Sequence, residues 1–276
     1  MKISDLFDVK GYGAVITGGA SGIGLGYAEA LAAAGARVTL LDVDGDRLEA
    51  ETARLGREGF DVQGRLVDVT NHGALDAAVA EATERYGRLD AVFANAGIDP
   101  GPGFVGAWAG SERPRLVEGA LENYTDERWN RVVEINLNGI FATVRAAARH
   151  MKPRKSGRIV ITTSLASTRV EPAIGAAYMA AKAGAAQFMR TVALELAAFN
   201  ITVNAVAPGY IVTNIGGGHS QDPVEQEAVA RMIPMHRVGF PSDLYGLALF
   251  LVSRASDYIT GQEIVVDGGW GLGAAD

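Results

Sequence analysis

Four polar side chains stand at spacings that suit acid–base chemistry on a small molecule. Tyr178 and Lys182 are four residues apart in a helical pattern, so they share one helix face. Ser164 follows the preceding predicted strand, and Asn136 lies in the long predicted helix before that strand. Many helices contain a Tyr/Lys pair by chance, so it is the addition of Ser164 and Asn136 that makes this a candidate catalytic group.

Segments of strand length and helical patterns alternate along the chain. We predict strands at 12–17, 37–42, 62–67, 89–94, 158–163, 201–207 and 263–267. We predict helices at 23–34, 45–59, 74–86, 126–151, 176–199 and 241–253. This alternation predicts an α/β fold, with a single doubly wound parallel sheet of Rossmann type and helices on both faces. No linker or repeat divides residues 1–276, so we expect one domain.

The bulk composition excludes several classes of partner and site. Hydrophobic residues make up 48% of the 276 residues, which is ordinary globular composition. The formal charge of −7 disfavours nucleic acid and membrane surfaces as partners. The chain has no cysteine, and its histidines are not at metal-ligand spacing, so we predict no metal site. Without a signal peptide or a membrane-spanning run, a cytoplasmic protein is expected.

A glycine-rich turn, TGGASGIG at 17–24, joins the first predicted strand to the first predicted helix. Backbone N–H groups in such a turn, together with the helix N-terminus, bind phosphate. The spacing is G-x-x-x-G-x-G, formed by Gly18, Gly22 and Gly24. A glycine cluster alone is weak evidence, but its place between a strand and a helix predicts a dinucleotide site.

Asp42 closes the second predicted strand, where a carboxylate can accept hydrogen bonds from the adenosine ribose hydroxyls and repel a 2′-phosphate. No basic residue stands beside it, since Ala20, Ser21 and Val43 occupy the positions that could favour NADP. Arg47 lies one helical turn further on, and we interpret it as a solvated helix residue. The predicted cofactor is therefore NAD.

Taken in chain order, these motifs resemble the short-chain dehydrogenase/reductase family, in its classical branch. The matching features span nearly the whole chain: TGGASGIG, NAG at 95–97, Asn136, Ser164, YMAAK at 178–182, Pro208 with Gly209, and DGG at 267–269. The resemblance implies that Asn136, Ser164, Tyr178 and Lys182 are catalytic. The predicted cofactor-binding residues are Gly18, Ser21, Gly22, Ile23, Gly24, Asp42, Val43, Asp68, Val69, Asn95, Ala96, Gly97, Tyr178, Lys182, Pro208, Gly209, Ile211 and Thr213.

The resemblance implies that Tyr178 is the general base in alcohol oxidation and the general acid in the reverse direction. Tyrosine has an ordinary pKa of about 10, and lowering it by roughly three units requires about 4 kcal/mol. An ammonium about 4 Å away supplies on the order of 4 kcal/mol at an effective dielectric of about 20. We therefore expect Lys182 to lower the pKa of Tyr178.

The resemblance also assigns roles to the other side chains. Ser164 would hydrogen-bond the substrate oxygen, and Ser167 in the same loop is its rival. Asn136 would hold a water that links Lys182 to solvent, Lys182 would also hold the nicotinamide ribose, and Thr213 would bind the carboxamide.

The two loops that break the alternation, 98–123 and 210–222, follow the carboxyl ends of strands and are predicted to bind substrate. His219 in the second loop is interpreted as a surface histidine. An apolar pocket suited to a cyclic, aromatic or medium-sized alcohol is indicated by Leu165, Ala166, Phe104 and Trp108. Arg113 and Arg115 leave a sugar or sugar acid open.

The predicted function is hydride transfer between NAD and a secondary alcohol or ketone carbon. The reverse direction, NADH-dependent ketone reduction, stays open, and a non-catalytic dinucleotide sensor is a third hypothesis. Apolar and small residues around most of the helices at 126–151 and 176–199 would leave an exposed patch on a monomer. The resemblance implies that these helices pair across a two-fold axis, so we predict a homo-oligomer, a tetramer.

Overall fold

The computed structural model describes residues 2–99, 101–106 and 114–273. Its seven parallel strands are β1 (Gly13–Thr17), β2 (Arg37–Asp42), β3 (Val62–Leu66), β4 (Ala91–Ala94), β5 (Gly157–Thr162), β6 (Ile201–Pro208) and β7 (Glu263–Val266). They form one sheet in the order β3-β2-β1-β4-β5-β6-β7. The order reverses between β1 and β4, and α/β sheets bind ligands at the carboxyl edge of such a point. The predicted α/β fold with a doubly wound parallel sheet is confirmed.

Helices cover both faces of this sheet. In the described part of the chain they are α1 (Gly22–Ala33), α2 (Gly45–Arg57), α3 (His72–Tyr86), α4 (Asp126–Val133), α5 (Gly139–Arg154), α6 (Ala176–Ala197), α7 (Pro223–Ala230) and α8 (Tyr245–Val252). Buried side chains of α1, α2 and α8 pack on one face, and those of α3, α5 and α6 pack on the other. The central strands are buried on both sides, which explains their nearly continuous apolar sequences.

The long helix predicted at 126–151 is not continuous. A π-helical segment, Glu134–Asn138, separates α4 from α5 and contains Asn136. A π-turn adds one residue to a helical turn, and such insertions are frequent at functional sites. The hydrophobic periodicity on either side hides this insertion, which is why the sequence predicts one helix.

Most other boundaries agree with the predictions to within one or two residues, but two differ. The helix predicted at 241–253 begins with a separate 3₁₀ turn, Pro241–Leu244. Helix α7 was not predicted at all. Its signals were present, because Asp222 caps it by accepting the Val224 N–H at 2.9 Å and a proline opens it. The glycine run before it led to the prediction of a loop at 210–222, with no helix assigned after that loop.

The loop predicted at 98–123 is attached to the segment that follows Ser164. Pro102 forms an antiparallel bridge with Ile174, and the Gly103 N–H donates to Ala173 O at 2.9 Å. This pairing places the described part of the loop over the carboxyl edge of β5. Trp108 and Arg113 lie outside the described residues, so their predicted contributions to the pocket stay predictions.

A membrane-spanning helix is not found among the described residues, where each helix is too short or too polar to cross a bilayer.

Candidate active site

A cavity of about 480 Å³ opens at the carboxyl edge of the sheet, beside the ends of β1 and β4. It is lined by the predicted cofactor-binding residues with one exception, Gly24. Gly24 is buried in α1, and a Cβ there would overlap Gly18 O. Gly24 therefore allows α1 to pack closely against the turn, and its contact with the dinucleotide stays a prediction.

The glycine-rich turn fits a pyrophosphate. Gly22 has a φ of +53°, and a Cβ there would lie 3.2 Å from Thr213 Cγ2 on the opposite wall. The Ser21 side chain, at the N-cap of α1, makes no capping hydrogen bond, which leaves the first-turn N–H groups for phosphate oxygens. The turn thus has the backbone approach and the donors that a dinucleotide requires.

Asp42 is held in place by three backbone donors. Its Oδ2 accepts the Ala20 N–H at 2.9 Å, and its Oδ1 accepts the N–H groups of Val43 and Asp44 at 2.8 and 3.1 Å. A carboxylate has about four acceptor positions, and these three contacts leave one on Oδ2, on a side chain that lines the cavity. Arg47, interpreted from the sequence as merely solvated, lines the cavity too, with its Nε 3.2 Å from Asp44 Oδ2.

Asn95 does more than turn the chain after β4. Its Nδ2 donates to Thr17 O and Gly18 O at 3.1 and 3.2 Å. Its Oδ1 accepts the Thr162 hydroxyl at 2.9 Å. One amide therefore joins the ends of β1, β4 and β5 beneath the cavity.

Tyr178 and Lys182 share one face of α6, as predicted from their spacing. Lys182 is only 2% exposed, and its Nζ donates to Thr162 O at 2.8 Å. The same Nζ lies 5.4 Å from the centroid of the Tyr178 ring. The strand end thus fixes the amino group directly beside the phenol.

Asn136 is fully buried and binds the chain after β4. Its Nδ2 donates to Val132 O at 3.2 Å and to Ile98 O at 3.3 Å, and its Oδ1 accepts the Ile98 N–H at 3.3 Å. A Cβ on Gly97 would lie 2.6 Å from Asn136 Oδ1 and 3.7 Å from Lys182 Nζ. The amide and the amino group therefore face the same narrow space beside Gly97.

Ser164 occupies the N-cap of a 3₁₀ turn, Leu165–Ser167, directly after β5. Its Oγ accepts the Ala166 N–H at 3.1 Å, and the residue lines the cavity. The Ser167 hydroxyl instead donates to Glu263 Oε1 on β7 at 2.7 Å. This geometry favours Ser164 over Ser167 as the residue that meets a substrate oxygen.

The pKa of Tyr178 is raised to about 12, mainly by burial of the phenol. A hydrogen bond from Ser164 lowers that pKa, and the negative charge of Asp99 raises it. Burial lowers the pKa of Lys182 to about 8. The lowering of the Tyr178 pKa that was expected from Lys182 is opposed by desolvation, which disfavours the charged forms of both groups.

A second cavity, of about 420 Å³, adjoins the first and shares Ser164 and Tyr178 with it. Leu165 and Ala166 line it, as predicted. Phe104 does not, being 37% exposed with the Arg115 guanidinium 5.7 Å from its ring centroid. His219, interpreted from the sequence as a surface residue, lines this second cavity despite its partial exposure.

Sequence reasoning missed several side chains that line the second cavity: Asp99, Glu171, Tyr210, Glu225 and Trp270. They are far apart in the chain, and the topology alone brings them together. Two of these residues could have been found from their positions next to motifs in the sequence. Asp99 follows the Asn-Ala-Gly turn, and Trp270 follows the closing DGG. The described residues contain no cluster of three or more histidine or acidic side chains arranged to hold a metal ion.

Comparison with known proteins identifies the family. The family model described as Enoyl-(Acyl carrier protein) reductase matches residues 18–271. The 5-keto-D-gluconate 5-reductase of Escherichia coli (strain K12) is 32% identical over 267 residues, covering 97% of this chain and 98% of the relative. The galactitol 2-dehydrogenase (L-tagatose-forming) of Cereibacter sphaeroides is 37% identical over 272 residues, covering 98% and 99%.

The fold agrees with that of a solved relative over almost the same length. A gluconate 5-dehydrogenase from Burkholderia cenocepacia J2315, crystallised in complex with NADP and tartrate, superposes with a TM-score of 0.84 at 31% identity. The match covers 98% of this chain and 99% of that one. Family model, relatives and fold agree, and this chain belongs to the classical short-chain dehydrogenases/reductases, a family of oxidoreductases.

Proposed function

We propose that this chain is a single-domain NAD-dependent oxidoreductase that transfers a hydride between nicotinamide and a secondary alcohol or ketone carbon. The observation that carries the proposal is the meeting of two cavities at Ser164 and Tyr178. A dinucleotide bound in the larger cavity and an alcohol bound in the smaller one would meet beside the Tyr178 hydroxyl. Relatives named for galactitol and for 5-keto-D-gluconate support a polyol or sugar acid as substrate.

Each catalytic side chain has a task that its contacts support. When bound, the nicotinamide supplies or accepts the hydride. Tyr178 gives a proton to the carbonyl oxygen in reduction and takes it back in oxidation. Ser164 hydrogen-bonds the same oxygen, and Lys182 favours the phenolate and holds the nicotinamide ribose. Asn136 holds a water that joins Lys182 to solvent, and Thr213 binds the carboxamide.

The same site supports catalysis in the reductive direction. A phenol with a pKa of about 12 is protonated throughout the neutral range and can serve as the general acid of ketone reduction. NADH-dependent ketone reduction is therefore the second candidate function.

Replacing Tyr178 tests the assignment of the site. Purified protein with NAD and a panel of cyclic, aromatic, polyol and sugar-acid secondary alcohols should generate reduced nicotinamide, measured by its absorbance. Because general acid–base catalysis contributes about 100-fold or more, Tyr178→Phe should lose at least that factor in kcat while still binding NADH. Tyr258→Phe, at an exposed tyrosine, is the matched control and should retain activity.

Two results would contradict this assignment. NADH binding by the wild-type protein without turnover of any panel member, in either direction, would support the non-catalytic sensor. A failure to bind NAD or NADH would show that the cofactor assignment is wrong.

The pH dependence should identify the state of Tyr178. Oxidation releases one proton, so the ratio of the forward and reverse rates changes by about a factor of ten per pH unit. If the Tyr178 pKa lies well above neutrality, this pH dependence belongs to oxidation, and kcat/KM for oxidation rises by about a factor of ten per pH unit between pH 7 and 9. The kcat/KM for ketone reduction should be flat from pH 6 to 8. If kcat/KM for ketone reduction instead fell steadily from pH 6 to 8, the pKa of Tyr178 would lie below that range.

Asp42 is the basis for proposing NAD. Its carboxylate is fixed by three N–H donors beside the cavity, where a 2′-phosphate would bring a like charge. Two unit charges about 4 Å apart repel by about 4 kcal/mol at an effective dielectric of about 20. Even half of that repulsion corresponds to a preference of about 30-fold. Arg47 opposes this effect only weakly, since it is already paired with Asp44.

The cofactor preference provides a direct measurement. We expect kcat/KM with NAD to exceed that with NADP by at least about 30-fold. Asp42→Asn keeps the shape and removes the charge, so it should reduce the preference by about tenfold or more. Arg47→Gln is the matched control and should leave the NAD/NADP ratio within about threefold. A wild-type preference for NADP that disappears in Arg47→Gln would mean that Arg47, not Asp42, decides.

We also propose a homotetramer assembled through α5 and α6. Phe141 on α5 is 40% exposed and contacts Phe188 on α6 edge-on, with ring centroids 5.9 Å apart. Leu194, further along α6, is 83% exposed. Large apolar side chains on neighbouring helices form a surface that a second copy would cover.

Light scattering at micromolar concentration tests the assembly. The mass should be about four times the 28.9 kDa of one chain. Leu194→Glu should shift it towards dimer or monomer, because a charge would be buried in the interface. Ile3→Glu, at an exposed residue near the N-terminus, should not. A wild-type mass of one chain would overturn the proposal.

A further inference from the structure

The ionisable lining of the substrate cavity is acidic. Asp99, Glu171 and Glu225 face it together with His219, and among its described lining residues there is no lysine or arginine. A substrate carboxylate is normally bound by basic side chains, above all by arginine in bidentate geometry. The charge of this lining thus opposes the recognition of a sugar acid.

An arginine behind the cavity wall, Arg169, is already engaged. Arg169 Nε lies 2.9 Å from Glu171 Oε1, its guanidinium donates to Trp270 O, and it lies 5.7 Å from the Trp270 ring centroid. Glu171 is only 6% exposed, so the ion pair forms part of the wall with its acidic member inward. A carboxylate ligand would have to displace Glu171 to reach this guanidinium.

The outer end of the cavity is built around Glu225. The Tyr210 hydroxyl donates to Glu225 Oε1, and His219 Nε2 lies 4.0 Å from the same oxygen. A carboxylate has about four acceptor positions, and these contacts leave room for a hydroxyl donor. Glu225 can therefore accept a hydrogen bond from a polyol while repelling a second carboxylate.

Asp99 brings negative charge to the reacting end. It is half-buried, and its Oδ1 accepts the Gly101 N–H at 2.9 Å. Its charge reaches the Tyr178 hydroxyl and raises the pKa of that group. Arg128 lies beside this part of the wall without lining the cavity, and its guanidinium donates to Pro102 O and Glu118 O over the Tyr124 ring.

We propose that this cavity selects an uncharged polyhydroxyl alcohol or ketone over the corresponding sugar acid, with Asp99 and Glu225 as specificity-determining residues. The inference rests on the proposed function and narrows its substrate class. Hydroxyl groups donate to the carboxylates at both ends of the cavity, whereas a substrate carboxylate offers only acceptors. Asp99 and Glu225 are half-buried, and a substrate carboxylate placed beside either would meet a like charge, which disfavours its binding.

Matched pairs of sugars test this selection. The pairs are D-sorbitol with D-gluconate and galactitol with D-galactonate. Within each pair, the hexitol has a hydroxymethyl group where the aldonate has a carboxylate. Turnover is followed with NAD, and binding to the protein–NADH complex is followed separately by the shift in thermal unfolding. In whichever pair is the more active, kcat/KM for the hexitol should exceed kcat/KM for the aldonate by at least about tenfold. The hexitol should also stabilise the NADH complex against thermal unfolding more than the aldonate does.

Charge-neutralising variants identify the residues responsible. Asp99→Asn and Glu225→Gln keep the side-chain shape and should each raise aldonate kcat/KM relative to hexitol by about threefold or more. In Asp99→Asn, the rise of kcat/KM for oxidation with pH should also shift to lower pH, because a negative charge that raises the pKa of Tyr178 is removed. A merely structural role of Asp99 would not cause this shift. Glu49→Gln, the same change at an exposed site on α2, should alter neither readout.

The two readouts separate the inference from the proposed function. An aldonate that binds and turns over as well as its hexitol would overturn the inference, as would the absence of hexitol binding in both pairs. Preferential hexitol binding supports the inference even if no member is oxidised or formed, and that loss of turnover would count against the proposed function alone.

Discussion

Burying the Lys182 amino group at the edge of the sheet costs free energy unless hydrogen bonds replace its water. Its Nζ donates to Thr162 O at 2.8 Å, and the Thr162 hydroxyl donates to Asn95 Oδ1 at 2.9 Å. Asn95 Nδ2 then donates to Gly18 O at 3.2 Å. This continuous path runs from α6, across β5 and β4, to the glycine-rich turn. The positions of both cavities depend on it, because it fixes α6 and the glycine-rich turn to the same strand ends.

The same burial gives the site its electrostatic character. Desolvation lowers the pKa of Lys182 to about 8 and raises that of Tyr178 to about 12, so both groups are biased towards their neutral forms. Asp99 adds to the bias of Tyr178 alone, because its negative charge opposes ionisation of the phenol. One carboxylate therefore both makes the cavity lining acidic and helps Tyr178 keep its proton, although burial is the larger cause of the raised pKa.

Much of the fold and site could be predicted because their signals are local. Strand and helix periodicities located the sheet, and the spacing between Tyr178 and Lys182 placed them together on α6. The π-helical turn at Asn136 could not be predicted, since one added residue leaves the apolar pattern intact. The close approach of Gly24 to the Gly18 carbonyl could not be predicted either, because a motif does not distinguish a glycine that approaches a ligand from one that approaches backbone. The acidic cavity depends on Asp99, Glu171 and Glu225, which only the tertiary structure brings together.

The pairing of the 101–106 strip with the segment after Ser164 has a consequence for how substrate range can change. Gly103 donates to Ala173 O, and a Cβ at Gly103 or Gly119 would overlap the backbone atoms packed against it. The two pieces of chain fit as one unit with no clearance between them. Grafting a loop from another family member would fail unless the stretch around 172–174 were transplanted with it. Substrate range should therefore change more readily by replacing side chains on these paired segments than by replacing residues 101–106 alone.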